Sequence, residues 1–208
     1  MTRGRVLVSL AAMTFGITPA CRQQSADPIV PSGIRMVSRA EWGAREPVLP
    51  MRRHAPVRLT IHHTGTLSTP NRSIESKILG LQQFSQRADS LADGRKKPAW
   101  ADVPYHFYVG VDGAVAEARE WQYVGDSNTP YDPTGHLLVV VEGNFEREAL
   151  SSAQRRTLDA LIPALAAHFR IGPEALASHR DYARTLCPGR ALYTELPRFR
   201  ALVTKDQR

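Results

Sequence analysis

Apolar and polar positions alternate most clearly from Val57 to His63, which predicts a strand with Val57, Leu59 and Ile61 on one face and Arg58, Thr60 and His62 on the other. Ile74, Ile78, Leu81, Ala88 and Leu91 recur at helical spacing and predict an amphipathic helix over about residues 72–92. The stretch "ADGRKKPAWADVP" reads as a loop. Tyr105 to Val111 reads as a strand, and Asp112-Gly113 as a hairpin turn into Ala114 to Glu117. Residues 125–136, "GDSNTPYDPTGH", carry turn formers throughout and predict a long surface loop. Leu137 to Val141 is continuously apolar, as expected of a central strand buried on both faces. Ser151 or Ser152 caps a helix carrying Leu158, Leu161, Ile162, Leu165 and Phe169 and closed near Gly172-Pro173, and a last helix is expected around Leu192 to Val203. In "VSRAEWGAREP", Ser38 with Glu41 three residues on forms a capping-box pattern for one short helical turn. The order of these elements predicts a single α/β domain, a central mixed sheet flanked by helices, over residues 34–208.

The first 21 residues differ in kind. Arg3 and Arg5 precede an apolar run from Val6 to Ile17, which has the length of a secretory signal and is short for a membrane span. "ITPAC" then ends at Cys21, an arrangement that resembles a bacterial lipoprotein signal with Cys21 as the lipidated residue and membrane anchor; Thr18 stands where leucine is usual, and plain cleavage near Ala20 is the competing reading. Residues 22–33, "RQQSADPIVPSG", are polar with two prolines and read as a tether. Export to a periplasm or outer membrane is the expectation.

Charge narrows the partners only slightly. The formal net charge of +7 favours an anionic partner, but the longest basic block is Arg95-Lys96-Lys97 and no nucleic-acid motif is present, so nucleic acid is not expected. Cysteine usage says more. With Cys21 lipidated or removed, Cys187 is left without a disulfide partner, and a lone cysteine in an exported protein calls for metal ligation, nucleophilic catalysis or burial. A histidine of "IHH", His179 in "SHRD" and Cys187 in "LCPG" are suitable metal ligands, and His179 and Cys187 stand eight residues apart across loop-like sequence. Spacing alone leaves the alternative of a buried thiol and a surface histidine.

The segments "SRAEWGA", "IHHTG", "YHFYVGVDGAV", "VEGNF" and "HRDYARTLCPG", in this order, resemble the zinc-dependent N-acetylmuramoyl-L-alanine amidase family, which includes phage lysozyme-type amidases and peptidoglycan recognition proteins. The likeness covers roughly residues 34–195. It implies a Zn²⁺ ion in a surface groove with His62, His179 and Cys187 as ligands, and strand periodicity separates His62 from His63, which falls on the apolar face. It implies Tyr105 as the residue that stabilises the oxyanion or orients the water. Thr185 matches a position that is lysine in the phage enzymes and threonine in many recognition proteins, where it bonds water, substrate or its own loop. Some bacterial relatives use a glutamate in the central strand as general base; here that position is Val140, with Glu142 two residues on, and the tyrosine–threonine arrangement is preferred. Trp121, after Glu120, is placed where the family's peptide-contacting Gly-Trp pair would be. The implied activity is hydrolysis of the N-acetylmuramic acid–L-alanine amide of peptidoglycan by a monomer. A non-catalytic peptidoglycan-binding module of the same fold is the alternative, and a cysteine hydrolase using Cys187 is a third reading.

Overall fold

The apolar run in the middle of the chain becomes the middle of a sheet. The computed structural model describes Met1 and residues 29–91 and 94–206; the expected export segment, Cys21 and most of the tether lie outside the described residues. Its elements are β1 (Met36–Val37), β2 (Arg58–His63), α1 (Ile74–Ser85), β3 (Asp89–Ser90), β4 (Lys96–Lys97), β5 (Phe107–Val109), β6 (Val115–Glu117), β7 (His136–Val141), α2 (Ser152–Phe169), β8 (Leu176–Ser178), α3 (Arg190–Tyr193) and α4 (Leu196–Asp206). Six strands form one mixed sheet in the order β1-β6-β5-β7-β2-β8, parallel except for the β5–β6 hairpin, while β3 and β4 pair separately. All six residues of β7 are buried, as a strand flanked on both sides and covered on both faces requires.

The two faces have different covers. Leu59, Ile61, Leu137, Val139 and Val141 meet Leu158, Leu161, Ile162 and Leu165 of α2 and Phe199 and Val203 of α4. Val140 and Tyr108 point the other way, to Ile74 and Ile78 of α1. Thr60, His62 and His136 share that second face by strand alternation. Val30 is buried in the α2 side of the core and Ile29 packs against it, within the span read from sequence as a tether. The capping box at Ser38 forms, with the Ser38 N–H donating to Glu41 at 2.7 Å, and supports a turn that does not extend into a helix.

Two helices depart from expectation. The helix predicted to residue 92 stops at Ser85, although the apolar spacing continues to Leu91. Its terminal carbonyls are taken from a distance: Lys97 Nζ donates to Ser85 O at 2.9 Å and Arg87 O at 2.7 Å, and Trp100 N–H also donates to Ser85 O. A buried ammonium at a helix C-terminus meets both the unpaired carbonyls and the negative end of the dipole. The last helix is two helices, because Pro197 has no N–H to continue the bonding of the first and falls in the opening turn of the second, where none is needed.

Glu142, just beyond β7, anchors the 64–72 loop. It accepts from Lys77 Nζ at 2.8 Å, Val111 N at 2.9 Å and Thr69 N at 2.8 Å. Burial pushes its carboxyl pKa up, but Lys77 and the Thr69 and Val111 amides more than offset this and hold it below the ordinary value. Lys77→Met would leave the carboxylate buried and unpaired, so a loss of about 3–5 kcal/mol is expected in urea denaturation, partly recovered in Lys77→Met/Glu142→Leu.

Candidate metal centre and active site

Parallel pairing of β8 with β2 brings the histidine that follows β8 beside the histidine near the end of β2. Ile61 pairs with Ser178, so His62 and His179 become neighbours, their ring centroids 4.7 Å apart. A short 3-10 turn, His179–Asp181, follows, with Ser178 and Asp181 bonded to each other across its start. The chain then returns so that Cys187 Sγ lies 3.7 Å from His62 Nδ1. One donor atom from each of His62, His179 and Cys187 lies within 4.8 Å of the others. These residues are 2%, 8% and 9% exposed.

Gly189 makes the return possible. It has φ +85°, and a Cβ there would fall 2.5 Å from the Phe145 carbonyl carbon and 2.8 Å from Glu146 N. Only glycine lets this backbone run so close to the 145–146 segment, where Ala191 N–H bonds Phe145 O at 2.9 Å.

The adjacent histidines go to different places. His62 enters the cluster, with Tyr105 beside it at 5.1 Å between ring centroids. His63 turns away: its Nδ1 accepts from Phe145 N at 3.4 Å, and its backbone N–H donates to Cys187 Sγ at 3.3 Å. Thr185 Oγ1 accepts the Cys187 N–H at 3.2 Å, which ties the hydroxyl to the cysteine loop. Trp121 is elsewhere, edge-on to Phe169 at 5.1 Å and lining a cavity with Ile29, Val30 and Phe107. Glu142 is fully engaged by the Lys77 network described above.

Burial sets the protonation states. It holds His62 well below the usual imidazole range, with the neighbouring histidines adding to the effect, and brings His179 down to about 4. It pushes the Cys187 thiol up to about 12, against the His63 N–H and Arg180, so the sulfur is not a free nucleophilic thiolate near neutrality. Tyr105 is raised in the same way and keeps its proton. Two neutral imidazoles and a thiol that ionises on a cation form a donor set suited to tetrahedral zinc, whose N–S donor edge is about 3.5 Å, close to the His62–Cys187 separation.

Known proteins share this architecture. The family profile described as N-acetylmuramoyl-L-alanine amidase matches residues 52–190, a span that contains all three donors and Tyr105. The chain belongs to this amidase family. It is 28% identical over 162 residues to peptidoglycan recognition protein 1 of Bos indicus, covering 76% of this chain and 80% of that one. It is 32% identical over 171 residues to the N-acetylmuramoyl-L-alanine amidase of Mus musculus, covering 76% of this chain and 29% of that longer protein. Among solved structures, human PGRP-IBETAC in complex with glycosamyl muramyl pentapeptide superposes with a TM-score of 0.62 at 31% identity, covering 76% of this chain and 92% of that one.

Around the cluster stand residues the sequence did not single out. Thr129 Oγ1 lies 2.6 Å from His179 Nε2, and Tyr131 Oη lies 3.5 Å from His62 Nε2. In a loop of turn formers, nothing local separates such side chains from those that only shape the loop. Buried Arg119 donates to Val103 O at 2.8 Å, to Asp102 O and Val124 O, and to Asp126, joining the segment before Tyr105 to the start of the 125–136 loop. His106 accepts from Leu138 N at 2.8 Å through Nδ1 and donates from Nε2 to Tyr123 O at 2.9 Å.

That pairing fixes His106 as neutral, and burial brings its pKa from 6.5 down to about 3, against the opposing pull of Tyr123 O. The unfolded chain therefore binds the extra proton between those limits, and stability falls as pH drops from about 6.5 towards 3. Urea midpoints measured from pH 7.5 to pH 4 should decline, and His106→Gln should remove up to about 1.4 kcal/mol per pH unit of that slope.

Proposed function

We propose that this chain is an exported zinc hydrolase that cleaves the amide bond between N-acetylmuramic acid and L-alanine in peptidoglycan. The convergence of His62, His179 and Cys187 to within 4.8 Å, beside a protonated Tyr105, carries the proposal. Membership of the family supplies the reaction class, and the muramyl pentapeptide held by a structural relative indicates the kind of ligand, a peptide stem joined to a sugar. The net charge of +7 suits an acidic wall polymer.

In this reading His62, His179 and Cys187 are the zinc ligands, and the two histidines are already in the neutral form that ligation needs. Bound there, zinc supplies Lewis acidity, lowering the pKa of a water towards 7 and polarising the scissile carbonyl. Tyr105 holds its proton at Oη and donates a hydrogen bond to the carbonyl oxygen as that atom gains negative charge. Thr185 positions the sulfur ligand through the Cys187 amide, and the His63 N–H, pointed at Sγ, favours the thiolate. Glu142 takes no part as a base, because Lys77 and two backbone amides already occupy its carboxylate. The packing of Trp121 on Phe169 favours a structural role over a peptide contact.

Incubation of residues 22–208 with purified peptidoglycan should release stem peptides beginning at L-alanine, detected by mass spectrometry, lost on chelation and restored by zinc. His62→Ala or Cys187→Ser should abolish release together with stoichiometric zinc binding. Tyr105→Phe should keep the zinc and lower kcat by about 10²–10³-fold. Tight binding to the wall with no cleavage under any metal condition would leave a recognition module in place of an enzyme. Cleavage insensitive to chelator but blocked by thiol alkylation would point to a cysteine hydrolase.

Export and anchoring belong to the same proposal. Arg3, Arg5 and the apolar run to Ile17 direct the chain out of the cytoplasm, and Cys21 accepts the lipid. Labelling with a clickable palmitate analogue in a bacterial host should mark the full chain, and Cys21→Ala should abolish the signal.

A further inference from the structure

We infer that the 127–131 segment is an outer shell for the metal site, with Thr129 the positioning residue for His179 and Tyr131 the partner of His62. The inference rests on the zinc reading above and concerns what holds the two imidazoles in their coordinating orientation.

Hydrogen-bond geometry supports it. Ser127 Oγ accepts the Thr129 N–H at 3.1 Å and lies 2.7 Å from Thr129 Oγ1. Either hydroxyl of this pair can donate to the other; when Thr129 gives its proton to Ser127, its Oγ1 lone pairs accept the Nε2–H of His179, 2.6 Å away, with Ser127 Oγ 3.5 Å from the same nitrogen. In that arrangement the proton sits on Nε2 and the Nδ1 lone pair is free for an ion. His62 has the same polarity: Nδ1 faces Cys187 Sγ at 3.7 Å, and Nε2 faces Tyr131 Oη at 3.5 Å. Both imidazoles thus present Nε2 to hydroxyls of one loop. Coordinating histidines characteristically donate their second N–H to a carboxylate, a carbonyl or a water, which fixes the ring and its tautomer, and here hydroxyls stand in that place.

The loop is itself held against the sheet face that carries His62. The Tyr131 ring stacks on Tyr182 at 5.8 Å and lies 5.2 Å from the His179 ring. Tyr182 packs edge-on to His136 at 4.7 Å, and His136 Nδ1 bonds Thr60 Oγ1 at 2.8 Å, two residues before His62 on the same face. The acceptors are neutral hydroxyls. Compared with carboxylates they leave the imidazoles less basic, so a bound cation keeps more of its charge for polarising a carbonyl.

The test is zinc affinity of the mature chain, measured by competition with a chromophoric chelator, together with the absorption spectrum of the cobalt-substituted protein. Thr129→Val keeps the side-chain shape and should weaken zinc binding about 10–100-fold and shift the cobalt d–d bands, whereas Thr129→Ser should restore both. A Thr129→Val chain that binds zinc as tightly as the unsubstituted chain, with unchanged cobalt bands, would overturn the inference. Should Thr129→Val fail to fold, Ser127→Ala removes the hydroxyl paired with Thr129 and should give the same changes in smaller measure; no change there would also overturn it. Failure of the unsubstituted chain to take up one zinc would instead overturn the metal reading itself.

Discussion

Two imidazoles and a thiol buried side by side dominate the organisation of this protein. Each loses its hydration, and each is kept neutral by that loss. A buried polar group also needs a partner, and here the partners come from two separate segments. Cys187 has the backbone N–H that follows His62, His179 has a hydroxyl of the 125–136 loop, and His62 faces a tyrosine from the same loop. The β7–β2–β8 register makes that convergence possible, because parallel neighbours place the end of β2 and the turn after β8 at one level.

Much of the remaining polar structure holds those segments in place. Glu142 and Lys77, paired in the core, fasten the loop that leaves His63. Arg119 joins the residues before Tyr105 to the entry of the 125–136 loop, so the phenol and the hydroxyl-bearing loop share one support. Gly189 lets the cysteine loop lie against the 145–146 backbone at a distance no side chain would permit. In each case a charged or backbone group is buried with several partners at once, and removing one partner leaves the others unsatisfied. The site therefore depends on residues that never touch it.

Family membership and the cluster fit together without repeating each other. The profile match and the superposition establish the family and the architecture, while function resides in the particular side chains a chain places there. This chain keeps a donor set in which every member is in the protonation state expected before a cation arrives.

How much of this was legible in the sequence differs from element to element. Period-two alternation placed His62 and His63 on opposite faces, the apolar run at 137–141 read directly as a central strand, and Ser151 capped its helix as its residue type suggests, because these signals depend on neighbours a few residues away. The ordered motifs named the family for the same reason. Tertiary structure decided the rest. The first helix ends at Ser85 because Lys97 takes its carbonyls, a contact its own apolar spacing cannot register. Trp121 went to Phe169, and Glu142 to Lys77, according to which long-range partners were present to satisfy them. Ser127, Thr129 and Tyr131 were indistinguishable from ordinary turn residues until the path of the loop set them against two imidazoles. Local periodicity and residue chemistry are written along the chain, but the pairing of a buried polar group is a property of the folded neighbourhood, and only the tertiary structure supplies it.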